Sequence, residues 1–239
     1  MARARFSKSF TQQLPIPEAG IEAAVAMMRS GRLHRYNTLP DETGETVALE
    51  REFAQWQGAK YCLAVTSGGQ AMQIALRASG VRPGDPVLTN GFTLAPVPGA
   101  IAAVGARPLL VEITADLVIN LDDLEARART SGARHVLLSH MRGHLCDMDR
   151  LMQVATDLNL TILEDCAHTM GASWLGKLSG TFGLAGCFST QTYKHMNSGE
   201  GGLLTSDDAE FMARATILSG SYMLHDRHGA GPPADIYDA

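Results

Sequence analysis

The sequence is poor in cysteine, has no long apolar run and carries no excess of basic charge. Its four cysteines lack the paired spacing of a zinc site and predict buried thiols of a reducing compartment: Cys62, Cys146, Cys166 and Cys187. No apolar run approaches the roughly 20 residues that cross a membrane. Because the basic first ten residues lack the apolar segment of a signal peptide, we expect a cytoplasmic protein.

The mildly acidic charge argues against two classes of partner. With 20 Lys and Arg against 25 Asp and Glu, the formal net charge is −5, which gives no general attraction for nucleic acid or an anionic membrane. The 239 residues, 45% of them hydrophobic, are enough for one large domain. We therefore expect neither a nucleic-acid partner nor a membrane partner.

Short apolar runs alternate with helical segments from Tyr61 onward. Strands are predicted at Tyr61–Val65, Val87–Thr89, Pro108–Val111, His135–Ser139 and Thr161–Leu163. Helices are predicted from the SGGQ segment to Ser79 and at Pro96–Val104, Leu121–Thr130 and Met148–Leu158. This alternation is typical of βα units on a buried, mostly parallel sheet, that is, of a three-layer α/β/α fold. Ahead of it, helices are predicted at Glu18–Ser30 and Glu45–Gln57.

Polar residues follow several of the apolar runs, where parallel sheets collect their ligands. Thr66 to Gly69 opens a helix and is either a phosphate cradle or a plain N-cap by Ser67. Asp165 and His168 follow the run at Thr161, where they either face a ligand or serve as a loop cap or core ion pair. Ser189 ends a further run and offers a hydroxyl to a nearby phosphate.

Lys194 lies in a polar, glycine-rich turn between two short apolar runs. A lysine held at the edge of a core is partly desolvated, which lowers its pKa and frees its lone pair, as a Schiff-base lysine requires. Pyridoxal phosphate (PLP) needs such a lysine, a carboxylate opposite its pyridine nitrogen and a cup for its phosphate. The small-residue loop, Asp165, Ser189 and Lys194 supply this set in order.

Four stretches carry a specific resemblance to a known family. They are TSGGQA at Thr66–Ala71, SHMRGHLCDMD at Ser139–Asp149, LEDCAHTMGA at Leu163–Ala172 and FSTQTYKHMNSGEGGLLTSDD at Phe188–Asp208. Over roughly residues 18 to 225 the chain resembles the DegT/StrS-type sugar aminotransferases, which are PLP-dependent enzymes of fold type I. The resemblance implies a homodimeric aminotransferase that moves an amino group from an amino acid, glutamate, to a keto-sugar, nucleotide keto-sugar or similar keto-polyol.

The same resemblance implies roles for single residues. Lys194 would form the Schiff base with the cofactor and later carry a proton between substrate and cofactor. Asp165 would pair with the pyridinium nitrogen, and His168 would lie near the ring and its phenolic oxygen. The phosphate would be held by Gly68, Gly69 and Ser189.

The chain also departs from the family pattern. Leu94 stands where an aromatic residue commonly stacks on the cofactor ring, so this contact would be aliphatic or would come from Phe92. Gly69 removes a hydroxyl donor, and the Arg32–Gly44 loop lacks the usual Thr-Gly-Pro pattern. Family members continue into a smaller C-terminal domain. We therefore divide this chain into a leader and helix at 1–45, a PLP-binding large domain at 46–225, and the start of a connection to an absent or truncated domain at 226–239.

Other interpretations stay open at this point. His140, His144 and Cys146 are residue types that bind metals, although the sequence has no second cluster of such ligands. Lys177, on a predicted hairpin, competes as the Schiff-base lysine. A PLP-dependent sugar dehydratase is a rival function, but the dehydratases that resemble this family have His in place of the lysine. A half-length homologue could instead bind PLP or a partner without turnover.

Overall fold

The computed structural model describes residues 7, 9, 13, 15–39, 41–221 and 223–238, so most of the predicted leader ahead of residue 15 lies outside it. The described strands are β1 Tyr61–Val65, β2 Pro86–Asn90, β3 Arg107–Val111, β4 His135–Ser139, β5 Thr161–Asp165, β6 Ser173–Trp174, β7 Lys177–Leu178, β8 Ala185–Ser189 and β9 Gly202–Ser206. The described α-helices are α1 Glu18–Ser30, α2 Glu45–Gln57, α3 Gly68–Ala78, α4 Pro96–Ala103, α5 Leu121–Ser131, α6 Met148–Leu158 and α7 Ala209–Leu218. Short 3-10 helices occur at Met141–Gly143, His225–Arg227 and Ala234–Asp238.

Seven strands form one sheet in the order β1-β9-β8-β5-β4-β2-β3. Strands β8, β5, β4, β2 and β3 pair in parallel, and β9 pairs antiparallel with both β8 and β1. The predicted mostly parallel sheet is therefore confirmed. Strands β6 and β7 form a separate hairpin, which confirms the hairpin predicted around Lys177.

Helices cover both faces of the sheet. One apolar cluster joins the sheet to α3, α4 and α7, and a second joins the opposite face to α5 and α6, while α2 packs with the strand residues Cys62 and Phe188. Alternate residues of a strand reach opposite faces, so that Leu137 belongs to the first cluster and Leu138 to the second. The predicted three-layer α/β/α architecture is confirmed.

The bounds predicted from the sequence agree with most of the observed element ends, but the predicted ends of β2 and β5 come too early. The apolar run predicts an end of β5 at Leu163, whereas the strand continues to Asp165, because Glu164 and Asp165 keep pairing with the neighbouring strands β4 and β8. Strand β2 likewise extends to Asn90. Apolar content alone therefore undercounts a strand whose last residues are polar and buried.

A buried polar network fastens the loop before α2 to the rest of the fold. Glu50, which is fully buried, accepts hydrogen bonds from Arg35 at 2.6 Å and from the backbone N–H of Ala64 at 2.9 Å. His228 contacts Arg35 through its Nδ1 atom and the Tyr36 hydroxyl, 2.9 Å away, through Nε2. Burial, with the nearby Arg35 charge, lowers the pKa of His228 to about 4. The imidazole is therefore neutral and able to accept hydrogen bonds near neutral pH.

The four cysteines are all free and buried, as predicted. Burial raises the pKa values of their thiols, which keeps them protonated. Among the residues that the structure describes, no helix has both the length and the apolar character that a membrane span needs.

Candidate active site

A cavity of about 360 Å³ opens where the parallel strands end, at the edge where such sheets bind ligands. It is lined by every residue that the sequence predicted for the site: Gly68, Gly69, Leu94, Asp165, His168, Ser189 and Lys194. Its size lies within the usual range for pockets that hold small ligands. The fold thus brings together residues up to 126 positions apart, from Gly68 to Lys194.

The small-residue loop ends β1 and begins α3. The Ser67 side chain accepts a hydrogen bond from the backbone N–H of Gln70 and so caps the helix. The N–H groups of Gly68 and Gly69, in the first turn, have no intrahelical acceptor, and they donate to no other described residue. Ser67 is therefore an N-cap. The two free N–H groups are available to an anion, and the phosphate cradle stays a prediction.

Close packing requires glycine in this cradle. A Cβ atom on Gly68 would lie 2.8 Å from the Cβ of Ser189. A Cβ atom on Gly202 would lie 2.5 Å from the Ser67 carbonyl oxygen and 2.7 Å from the Gly68 nitrogen. Gly202 was missed as a site residue by sequence reasoning, since its contribution is the space that it leaves for a loop more than 130 residues earlier.

Asp165, the last residue of β5, is 9% exposed and its carboxylate is held in place by two hydrogen bonds. Oδ2 accepts from the Ser139 hydroxyl at 3.0 Å, and Oδ1 accepts from the backbone N–H of Ala167 at 3.1 Å. The Ser139 hydroxyl in turn lies 2.8 Å from that of Thr93. Ser139 and Thr93 were not predicted as site residues, although Ser139 opens a quoted motif and sits beside Asp165 in register across β4 and β5.

Lys194 and His168 lie in contact on the wall of the cavity. Lys194 Nζ lies 2.9 Å from His168 Nε2, and His168 Nδ1 lies 3.2 Å from the backbone N–H of Arg142. Partial burial lowers the pKa of Lys194; the Asp165 charge opposes this effect and the Arg142 charge adds to it. Burial, followed by the Lys194 charge, lowers the pKa of His168. Both groups are therefore shifted toward their neutral forms.

Glu164, next to Asp165, points into the core instead of the cavity. Its two oxygens accept hydrogen bonds from His140 Nε2 at 3.0 Å and from the backbone N–H groups of Gly180, Phe182 and Gly183 at 2.8 Å each. Of the interpretations left open for this segment, pairing in the core therefore applies to Glu164, while Asp165 and His168 line the cavity.

The metal-ligand set considered for His140, His144 and Cys146 does not form. His140 pairs with Glu164, His144 Nδ1 contacts the Asp116 carbonyl at the surface, and Cys146 contacts the Met148 sulfur. Cys166 does bring a ligand atom within 4.8 Å of His140 and Glu164. However, the oxygens of Glu164 are already occupied by four donors.

The structure also places the residues about which the sequence left questions. Leu94 lines the cavity and is 45% exposed, whereas Phe92 is not among the lining residues. Lys177, the competing lysine, lies on the β6–β7 hairpin and places its Nζ 4.5 Å from the centre of the Phe182 ring. Glu200 also lines the cavity, at a position for which the sequence indicated no chemical role.

The residues present fit PLP. The unpaired N–H groups of Gly68 and Gly69 suit a phosphate, and the buried Asp165 carboxylate suits a protonated pyridine nitrogen. Lys194 lies on the same cavity with its pKa lowered, as capture of an aldehyde requires. The stacking aromatic is replaced by Leu94, so the ring would have an aliphatic neighbour on that side.

Comparison with known proteins agrees with this geometry. A family model described as the DegT/DnrJ/EryC1/StrS aminotransferase family matches residues 18–229. The L-glutamine:2-deoxy-scyllo-inosose aminotransferase of Streptomyces fradiae is 34% identical, covering 92% of this chain and 51% of that protein. The crystal structure of 3-amino-5-hydroxybenzoic acid (AHBA) synthase is similar with a TM-score of 0.78 and 30% identity, over 87% of this chain and 54% of that one.

A dehydratase is also among the similar structures. A point mutant of GDP-4-keto-6-deoxymannose-3-dehydratase (ColD) with bound GDP-perosamine matches with a TM-score of 0.72 and 25% identity, over 85% of this chain and 52% of that one. In every one of these comparisons, this chain spans about half the length of the protein that it matches.

Proposed function

Since the chain belongs to the DegT/DnrJ/EryC1/StrS aminotransferase family, we propose that it is a PLP-dependent aminotransferase. Its substrates would be an amino-acid donor, glutamate, and a keto-sugar, nucleotide keto-sugar or similar keto-polyol. The observation that carries the proposal is the position of Lys194 in one cavity with Asp165 and the free N–H groups of Gly68 and Gly69. A lysine, a buried carboxylate and an anion cradle are the three protein groups that PLP chemistry requires.

When bound, PLP supplies an aldehyde and a ring that accepts electrons from the substrate carbon. Lys194 would bind the aldehyde carbon through Nζ and, once released by the amino donor, would move a proton at that same nitrogen. Asp165 would hold a proton on the pyridine nitrogen. Because Ser139 and Ala167 fix the Asp165 carboxylate, little reorganisation is needed when the charge develops.

The phosphate would be held by the N–H groups of Gly68 and Gly69 and the hydroxyl of Ser189. These groups lie at a helix N-terminus, whose partial positive charge favours an anion. The predicted cofactor-binding unit, residues 46–225, contains all of them, and we keep this division of the chain as part of the proposal.

The relative from Streptomyces fradiae is named for L-glutamine and 2-deoxy-scyllo-inosose. This supports a cyclic keto-polyol as one acceptor class, and it means that the donor test should include both glutamate and glutamine. Sugar dehydration remains the rival activity. Lys194 favours transamination, because the related dehydratases carry His in its place.

We also propose that the protein works as a homodimer in which the neighbouring chain completes the cavity. Tyr193, directly before Lys194, is 66% exposed, and Leu94 on the cavity rim is 45% exposed. A second chain packed on this rim would cover both side chains. Sedimentation of the 239-residue chain tests this point. A monomer that transaminates rapidly over many turnovers would contradict it.

Borohydride reduction of the PLP-loaded protein, followed by peptide mapping, tests the central assignment. We expect the cofactor on Lys194. A label on Lys177 would overturn the assignment, and Lys177→Arg serves as the matched control that should still be labelled at Lys194. Conversion of PLP to pyridoxamine phosphate by glutamate or glutamine then separates an aminotransferase from a module that binds the cofactor without turnover.

A further inference from the structure

The hydrogen bonds of His168 determine which of its ring nitrogens carries the proton. The Arg142 backbone N–H lies 3.2 Å from Nδ1 and can only donate, so Nδ1 must be the bare, accepting nitrogen. A neutral imidazole carries one proton, and that proton must then be on Nε2. Nε2 lies 2.9 Å from Lys194 Nζ.

A protonated Nε2 has a consequence for the lysine. An ammonium group has three donors and no acceptor, so it cannot receive the Nε2 proton. The free amine has a lone pair and can receive it. We infer that the cofactor-free site holds Lys194 as a free amine, with His168 in its Nε2–H form as the hydrogen-bond donor to Nζ and the Arg142 backbone as the group that fixes this tautomer.

The turn that carries Arg142 has an unusual backbone conformation. Arg142 has φ 58° and ψ 21°, a left-handed conformation that L-residues other than Asn and Asp adopt infrequently. This conformation occurs inside the 3-10 turn Met141–Gly143, at the end of β4. The backbone N–H of Arg142 donates to His168 Nδ1 at 3.2 Å, and substitution of the Arg142 side chain alone leaves this backbone donor in place.

The charged groups around the pair act in opposite directions. The groups that influence the pair are Asp165, which favours the charged lysine, and Arg142 and His195, which disfavour additional positive charge. Glu200 lies on the wall of the same cavity. Burial is the main cause that lowers the pKa of Lys194, and it outweighs the opposing Asp165 charge. The inference rests on the proposed function for its catalytic meaning: a free amine is ready to capture an aldehyde without first losing a proton to water.

The tautomer can be observed directly in the cofactor-free 239-residue chain. Long-range ¹H–¹⁵N correlation spectra of protein labelled with ¹⁵N-histidine distinguish protonated from bare ring nitrogens, and the His168 signals are identified by their loss in His168→Gln. We expect bare Nδ1 and protonated Nε2 at neutral pH. Protonation at Nδ1, whether alone or together with Nε2, would overturn the inference.

Competitive acetylation of Lys194 gives a second readout that needs no turnover. Acetic anhydride is added to the cofactor-free protein near neutral pH, with the exposed Lys177 as internal reference. His168→Leu is apolar and removes both ring nitrogens, so Lys194 acetylation should fall about fivefold, the worth of one hydrogen bond. His168→Gln, whose amide oxygen can accept from Arg142 while its NH₂ donates to Nζ, should retain the reactivity.

A rise in Lys194 acetylation in His168→Leu would mean that the lysine donates as an ammonium ion, and equal reactivity in all three proteins would mean that the contact contributes nothing. Either result overturns the inference. The expected spectra and reactivity together with a failure to transaminate would instead overturn the proposed function alone.

Discussion

Gly202→Ala should displace the loop Thr66–Gly69, the predicted phosphate cradle, from its position against the sheet. Gly202 pairs with Ser189 on β8 and with Val65 on β1, so it lies between the two halves of the cradle. Its new Cβ atom would lie 2.5 Å from the Ser67 carbonyl oxygen, about 0.9 Å short of ordinary van der Waals contact at 3.4 Å. The opposing atoms are backbone, so relief requires a shift of the loop and not of a flexible side chain.

The magnitude follows from that shift. Overpacking of this kind typically costs about 1–3 kcal/mol of unfolding free energy. Moving the loop by nearly 1 Å takes the N–H groups of Gly68 and Gly69 out of hydrogen-bond range of a phosphate. Two hydrogen bonds to a charged group are worth about 3 kcal/mol or more together, which corresponds to a Kd for PLP raised roughly a hundredfold or more.

Urea unfolding and absorbance titration with PLP measure the two effects. Gly69→Ala is the matched control, because its Cβ atom would meet nothing closer than the Ser67 Oγ at 3.7 Å, and alanine is the better helix former. Its stability should be unchanged or higher. A Gly202→Ala protein that unfolds at the parent's urea concentration and binds PLP within a few-fold of the parent would refute the reasoning.

Two further predictions concern buried charge. Asp165→Asn should leave PLP bound but slow the glutamate half-reaction by several orders of magnitude, because the ring no longer acts as an electron sink. Single-turnover absorbance measurements give this rate. A folded variant with a near-parental rate would show that Asp165 has only a structural role. His228, whose pKa is lowered to about 4 from an ordinary 6.5, should reduce stability as pH falls from 6.5 toward 4, since the unfolded chain takes up the proton first. Urea unfolding across that window should show a steeper loss than in His228→Gln. Parallel curves would contradict the neutral imidazole that accepts from Arg35 at Nδ1 and donates to the Tyr36 hydroxyl oxygen from Nε2.

The order and most bounds of the helices and strands could be predicted from the sequence, because they depend on residues close together in the chain. Helices α1, α2 and α6 and strands β1 and β4 have the bounds that periodicity and capping residues predict. The candidate site was readable for a related reason. Parallel strands bring their carboxyl ends to one edge, so polar residues at successive strand ends must meet, and Asp165, Ser189 and Lys194 do line one cavity.

Contacts between distant segments were decided by the tertiary structure alone. Two neighbouring carboxylates, Glu164 and Asp165, are equivalent as a sequence pattern, yet the pleat of β5 sends one into the core toward His140 and the other to the cavity. The need for glycine at position 202 and the tautomer of His168 likewise depend on atoms that folding brings into van der Waals or hydrogen-bond contact. Side-chain type specifies what a residue is able to do, but steric fit and hydrogen-bond partners over such distances are set only once the chain is folded.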